Sequence, residues 1–245
     1  MACDNGCMSG DRIIHELTDP GFEAEAGGSR IEGSRPRLDE LCDGGGDFMR
    51  LILASGSPRR AELLTAAGYS FEVRVPDIDE SARPGELPAV YVERLAREKA
   101  ARIARELPGG PDSVVVLAAD TAVVIDGELL GKPADDKDAA RMLRRLSGRT
   151  HLVMTGVAAR AGTRCLSLVE TTTVAVDALT DEQVAWYVGS GEGQDKAGGY
   201  AVQGLASRFV PRIDGSYSNV VGLPLAAVDR LLRQLTQAAG VLASE

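Results

Sequence analysis

The sequence predicts an α/β protein with a mixed sheet, and three observations carry that prediction. Between residues 49 and 237, apolar runs of strand length alternate with stretches whose apolar residues recur at helical spacing. LILASGSPRRAELL, residues 51–64, passes from a strand pattern to a helix pattern within a few residues. A third apolar run turns at Asp126-Gly127, a pair favoured in two-residue hairpins, so at least one strand pair is antiparallel.

Each element follows in order. Residues 49–54 read as a strand. Ser57 as N-cap and Pro58 as first helical residue open a helix over 57–67, and Gly68 closes it. A strand over 70–74 precedes a long helix over 88–106, which ends at Leu107-Pro108-Gly109. SVVVLAAD, residues 113–120, is an apolar strand whose last residue is Asp120, and TAVVIDGELLG holds the hairpin. A helix over 135–147 carries Ala139, Met142, Leu143 and Leu146 on one stripe and stops at Gly148. Strands over 150–160 and 165–177 follow. Thr180 and Gln183 form a capping box for a helix over 181–188. A glycine-rich loop over 189–199 leads to short strands and a last helix near 224–237.

The chain has 245 residues, 44% hydrophobic and 26% charged, enough to bury a core as one large domain or two joined lobes. No apolar run reaches the ~18 residues that a membrane span needs, and no secretory signal pattern opens the chain, so a cytoplasmic location without membrane contact is expected. The net charge of −9 is unevenly placed. Residues 1–48 hold 11 acids against 4 arginines, net −7, leaving 25 acids against 23 bases, net −2, in residues 49–245. Without a basic stripe, a nucleic-acid polymer is not expected as a partner.

Residues 1–48 read as a disordered extension, rich in glycine and acids and without a sustained apolar period. They end in CDGGGDFM, and three glycine codons ahead of Met49 can encode a ribosome-binding sequence. The segment is therefore either a translated leader before a start at Met49 or a flexible tail. The domain proper is expected over 49–245. Of four cysteines, Cys3, Cys7 and Cys42 precede it, and Cys165 reads as a small apolar strand residue; no disulfide framework or zinc spacing is present.

Several polar residues break the pattern. Asp120, at the carboxyl end of an apolar strand, is a candidate for chemistry, because ligands in open α/β sheets bind there. Lys99 falls on the apolar face of its helix, where by itself it reads as a lysine whose stem carries its charge out to water. Arg59 and Arg60 begin a helix, a position that already favours anions; surface charges beside an ordinary N-cap would look the same. Lys132 in LGKP and Lys196 in QDKAGGY place cations in loops, and PDIDES gathers Asp77, Asp79 and Glu80, enough for one or two ligands to Mg²⁺. Jointly these are the inventory of a metal–triphosphate site. No Walker loop, dinucleotide fingerprint or H-E-x-x-H motif is present, and with only His15 and His151 a histidine mechanism is poorly supported.

LASGSPRRAELL, VERLAREKA, AADTAVV, GKP, MLRRLSGRTHLVMTGVA, DKAGGYAVQG and GSYSNVVGLPL stand in the order seen in the Maf family of nucleoside triphosphate pyrophosphatases, which the chain resembles over about residues 49–237. The resemblance implies a two-lobed mixed sheet flanked by helices around a cleft, as in Maf and ITPase-like folds. It also implies hydrolysis of the α–β phosphoanhydride of a nucleotide with Mg²⁺ or Mn²⁺, and a homodimer. By the same resemblance Asp120 matches the general base and Glu80 the second essential carboxylate, the two together holding metal. Ser55, Arg60, Lys99, Lys132 and Lys196 match polar and cationic cleft positions, and Arg59, Thr121 and Gln203 positions tied to base choice. Thr121 resembles the branch acting on dTTP and UTP. Two other readings stay open: a nucleotide-binding regulator of septum formation without essential turnover, and a sugar-phosphate or nucleotide-sugar enzyme sharing the anion site.

Overall fold

A computed structural model describes residues 50–107 and 114–240, with side chains to residue 235. The expected extension, residues 1–48, and Met49 lie outside the described residues. Among the described residues no helix is long and apolar enough to cross a membrane.

Seven strands form one mixed sheet in the order β2-β1-β3-β5-β6-β7, with β4 also on β3. The elements are β1 (Arg50–Ala54), α1 (Pro58–Ala66), β2 (Glu72–Arg74), α2 (Pro88–Ala104), β3 (Val114–Ile125), β4 (Glu128–Leu130) and α3 (Asp136–Leu146). They continue as β5 (Thr150–Ala161), β6 (Arg164–Ala175), α4 (Asp181–Gly189), β7 (Arg212–Asp214), α5 (Tyr217–Val221) and α6 (Leu225–Gly240). The α/β class and the mixed sheet are as the sequence predicts. The Asp126-Gly127 turn forms with φ of 55° and 76°, and the Thr180–Gln183 capping box makes both of its bonds.

Differences from the sequence reading have local causes. Ser57 makes no side-chain cap; its own N–H donates to Ser55 Oγ at 3.1 Å within the turn that leads into α1. After the glycine-rich loop the expected short strands reduce to β7, because Ala197–Gly199 and Leu205–Phe209 wind into 3₁₀ turns and Tyr217–Val221 into a helix.

The largest correction concerns Asp120, which does not end a strand. Residues 114–125 form one twelve-residue strand with Asp120 in its interior. The apolar run gives no sign of this, since a fully buried strand reads alike at any length. Along one edge, β3 pairs in parallel with β1 from Val114 to Ala118 and antiparallel with β4 from Val123 to Ile125. Residues 119–122 have no strand partner on that edge, although β5 pairs with them on the other. The sheet is thus split between the end of β1 and β4. The carboxyl end that opens beside Asp120 is that of β1, and such ends are where open α/β sheets bind ligands.

Period-two alternation in β3 decides what each residue of the split meets. Val116 and Ala118 pack with Ala96, Ala100 and Ile103 of α2, whereas Val115, Leu117 and Ala119 pack with Leu64 of α1 and Val228, Leu231 and Leu235 of α6. Asp120 therefore faces α2 and Thr121 faces α1. A third apolar cluster joins the far half of β3 to α3, α4 and the 3₁₀ turns through Val123, Leu143, Leu146, Tyr187, Tyr200 and Phe209. The close approach of α2 depends on Gly156, the β5 partner of Asp120: a Cβ there would lie 2.2 Å from the Val92 carbonyl oxygen.

Candidate active site

The split opens into a cavity of about 540 Å³. Ten of the residues singled out in the sequence line it: Ser55, Arg59, Arg60, Glu80, Lys99, Asp120, Thr121, Lys132, Lys196 and Gln203. Asp77 and Asp79 do not; Asp79 Oδ1 accepts from the Ser81 N–H at 2.9 Å and shapes the loop beside Glu80.

Lys99 is the centre of the buried end. Seven residues beyond Val92, it shares the helix face that Gly156 admits to the sheet. Its Nζ lies 2.7 Å from Asp120 Oδ1 and 2.7 Å from Glu80 Oε1. The reading of Lys99 as a lysine reaching water is thus overturned: its ammonium is buried with 6% of the residue exposed, which is tolerable because two carboxylates meet it. Burial pushes the Asp120 carboxyl above its ordinary value, while the charges of Lys99 and Arg60 oppose the rise.

Arg60 reaches the split from α1. Its Nε donates to the Gly222 carbonyl at 2.8 Å, Nη1 to Ser55 Oγ at 3.2 Å and Nη2 to Thr121 Oγ1 at 3.0 Å. Three of its five N–H donors are so committed, leaving one on each terminal nitrogen. Burial lowers the guanidinium from its usual value, but an arginine remains a cation. The Thr121 hydroxyl also meets Thr155 Oγ1 at 2.9 Å and lies 3.3 Å from the Gly222 carbonyl. Its hydroxyl thus meets Arg60, Thr155 and the Gly222 carbonyl while the residue lines the cavity.

The outer side is built from loops. Arg59 Nη1 lies 3.1 Å from Asp195 Oδ2, and Lys196 Nζ lies 2.6 Å from Asp195 Oδ1 and 2.5 Å from the Glu192 carbonyl. The hydrogen bond from Lys196, with help from Arg59, holds the Asp195 carboxyl down at about 2. Lys132 and Gln203 are exposed at the rim. Val123, Leu130, Val153, Tyr200 and Val202 supply an apolar wall from the third cluster.

Sequence reasoning missed four contributors. Asp195 stood in the quoted motif without a role. Tyr91 donates to the Glu80 carbonyl at 3.0 Å, and Tyr200 Oη lies 2.7 Å from His151 Nε2, whose ring burial keeps neutral by lowering its pKa to about 4. Thr155 is fully buried opposite Thr121. A polar residue inside an apolar strand, as at His151 and Thr155, was the available signal.

Among the described residues no cluster of three or more His, Cys, Asp or Glu side chains could cage a metal. Two carboxylates, Glu80 and Asp120, each place one oxygen 2.7 Å from the Lys99 ammonium, so a cation would have to share them with Lys99. That donor set fits Mg²⁺, which keeps several waters and takes one or two carboxylates together with substrate phosphates.

Comparison with known proteins places the chain among relatives. The family described as Maf-like protein matches residues 50–235. A protein of Anaeromyxobacter dehalogenans (strain 2CP-C) named dTTP/UTP pyrophosphatase is 54% identical over 189 residues, 76% of this chain and 93% of its own. Proteins of the same name from Hahella chejuensis and Shewanella oneidensis are 49% and 52% identical, each over 79% of this chain and over 96% and 100% of their own. Among solved structures, that of the Staphylococcus aureus Ham1 protein aligns over 52% of this chain and 71% of that one, with 16% identity and a TM-score of 0.37, a partial likeness only.

Proposed function

The chain belongs to the Maf-like protein family, and from that membership and the charges of its cavity we propose that it hydrolyses pyrimidine nucleoside triphosphates to the monophosphate and pyrophosphate. The observation that carries the proposal is Asp120: a buried carboxylate in the sheet split, held by Lys99, with Arg60 nearby and further cations at the rim. The relatives named dTTP/UTP pyrophosphatase supply the substrate class.

In this reading the Asp120 carboxylate orients a water and takes its proton as the oxygen attacks the α-phosphorus. The raised pKa of Asp120 suits a base. The bond from the α-phosphorus to the bridging oxygen breaks, and the electron pair leaves with pyrophosphate. The free N–H donors of Arg60 and the ammonium groups of Lys132 and Lys196, with Arg59, offset the charge that builds on this leaving group. Glu80 and Asp120 would hold a divalent cation, Mg²⁺ or Mn²⁺, whose contribution is to neutralise phosphate oxygens. The apolar wall and Gln203 receive the base, where the carboxamide can both donate and accept.

The test is a nucleotide panel with Mg²⁺ or Mn²⁺, scoring pyrophosphate against orthophosphate. UTP and dTTP present the same O2, N3–H and O4 edge, so both are expected to turn over. Thymine's methyl changes kcat/KM by only a few-fold, since one buried methyl contributes about 1 kcal/mol. CTP is poorer and GTP poorest, because polar groups left unpaired penalise the wrong base more heavily than a methyl does. Orthophosphate as the product would refute the bond assignment. Equal kcat/KM for GTP and UTP would refute only the pyrimidine assignment.

Two further parts of the reading concern the chain around the site. The domain is taken as residues 49–245, with 1–48 dispensable to it. A protein starting at Met49 is then expected to match the full chain in melting temperature and turnover.

A further inference from the structure

Glu80 sits on residues 75–87, a segment with neither helix nor strand, yet its carboxylate must meet the Lys99 ammonium on a helix, which also holds Asp120 on a strand. A half-exposed side chain on such a segment keeps its place only if the backbone beneath it is fixed. The backbone is fixed from α2. Tyr91 Oη donates to the Glu80 carbonyl at 3.0 Å, and Arg94 Nη2 donates to the Ser81 carbonyl at 3.1 Å.

Arg94 is itself locked. Its Nε and Nη2 form a two-pronged pair with Glu86 at 2.6 and 2.7 Å, and Nη1 donates to Glu98 at 3.1 Å. The Arg94 and Glu86 side chains are only 12% and 6% exposed, unlike the other arginine–carboxylate pairs of the surface. Glu86 closes the far end of the segment, accepting from the Arg83 N–H at 3.0 Å across the turn at Gly85, whose φ is 73°. Tyr91, Arg94 and Glu98 fall at i, i+3 and i+7, one face of α2, and the Arg94 guanidinium lies 5.6 Å from the Tyr91 ring centre.

We propose that Tyr91 and Arg94 are positioning residues that clamp the 75–87 segment to α2 and thereby hold the Glu80 carboxylate at Lys99 for the reaction. This rests on the function proposed above, in which Glu80 takes part. Neither residue is asked to touch the reacting atoms. A planar fork is needed at position 94, since one group must reach both Glu86 and the Ser81 carbonyl; lysine cannot span both.

The experiment compares Tyr91→Phe and Arg94→Lys with the wild-type full chain. Hydrogen exchange of the amides of residues 76–86, measured without any ligand, is expected to quicken by about 3- to 10-fold for loss of one hydrogen bond. With UTP, kcat falls by a similar factor while KM stays within about twofold, because the nucleotide's own contacts remain. Mn²⁺ binding in the presence of inorganic pyrophosphate weakens correspondingly. Placed on Glu80→Gln, Tyr91→Phe adds no further loss, since both act through one carboxylate. Tyr91→Phe, the milder change, guards against an Arg94→Lys protein that fails to fold. Unchanged exchange of the 76–86 amides would overturn the clamp, and so would a loss that multiplies with that of Glu80→Gln. If the wild-type protein releases no pyrophosphate, the function falls while the exchange measurement still decides the clamp.

Discussion

The two sides of the cavity carry like charges on unlike supports. Arg60, Lys99 and Asp120 come from α1, α2 and β3, are almost wholly buried, and each meets at least one charged or polar partner from a different element. Arg59, Lys132, Lys196 and Asp195 stand on a helix start and on loops; Arg59 and Lys196 meet the Asp195 carboxylate, which is 64% exposed, and Lys196 also meets the Glu192 carbonyl. Buried charges are expensive to place and keep their geometry; exposed ones are inexpensive and exchangeable. The buried side is suited to chemistry that needs a fixed carboxylate, and the outer side to gripping and releasing an anion.

Asp120→Asn tests the buried side most severely. The change is nearly isosteric but removes the proton acceptor, and pyrophosphate release is expected to drop by about 10² to 10⁴-fold, the scale of a lost general base. The wild-type pH profile sharpens the point. Burial raises the Asp120 pKa in the metal-free protein and a bound divalent cation opposes the rise, so the acid limb of kcat/KM is expected to move to lower pH as Mg²⁺ is raised. The sign for stability is opposite: a carboxyl with a raised folded pKa favours the fold below its unfolded value, and that contribution is lost as pH rises through the folded one. Lys99→Met removes the cation that holds the pKa down, so the limb moves to higher pH. A limb unmoved by Lys99→Met would separate Lys99 from Asp120.

This contrast also explains what could be read from the sequence. Lys99 stands out because it interrupts an apolar helix face, Asp120 because it closes an apolar run and Arg60 because it doubles the charge at a helix start, and Thr180 with Gln183 or Asp126 with Gly127 announce themselves by local chemistry. The split in the sheet does not, since which residues of β3 pair with β1 and which with β4 is a matter of non-local register. That is why Asp120 looks like a strand end. Lys132 and Lys196 were nominated only jointly with other cations, because a loop lysine looks the same with or without a ligand. Asp195 and Tyr91 stayed silent for a related reason: their partners, Arg59 and the Glu80 carbonyl, are set by tertiary structure.

The next effect in size concerns the frame of the buried side. Gly156→Ala puts a methyl against the Val92 and Glu93 backbone, where no side chain can yield. Overpacking of this kind costs about 1–3 kcal/mol, so the melting temperature is expected to fall. As α2 moves outward it carries Lys99, Tyr91 and Arg94 with it, and turnover falls as well. An unchanged melting temperature and kcat would mean that the buried geometry does not depend on how deeply α2 sits.

The smallest effect is the sharpest test of the outer side, because its sign is reversed. Asp195 places one carboxylate oxygen on Arg59 and the other on Lys196, the two contacts that a phosphate of the substrate would take. A phosphate must displace it, so Asp195→Asn is expected to tighten inorganic pyrophosphate by about 2- to 10-fold, the combined worth of two exposed ion pairs. Stability stays within about 0.5 kcal/mol of wild type, as for other surface changes. Simple loss of a negative charge must be separated from loss of these two contacts. Asp136→Asn makes the same change in charge at a residue whose side chain, among the described residues, accepts from Gln194 and which does not line the cavity. The gain belongs to the displaced contacts if it exceeds that of Asp136→Asn, shrinks when Arg59→Gln is already present, and fades as salt is raised. Equal gains from the two substitutions, or weaker pyrophosphate binding in Asp195→Asn, would show that Asp195 orients the outer cations for the substrate and does not compete with it.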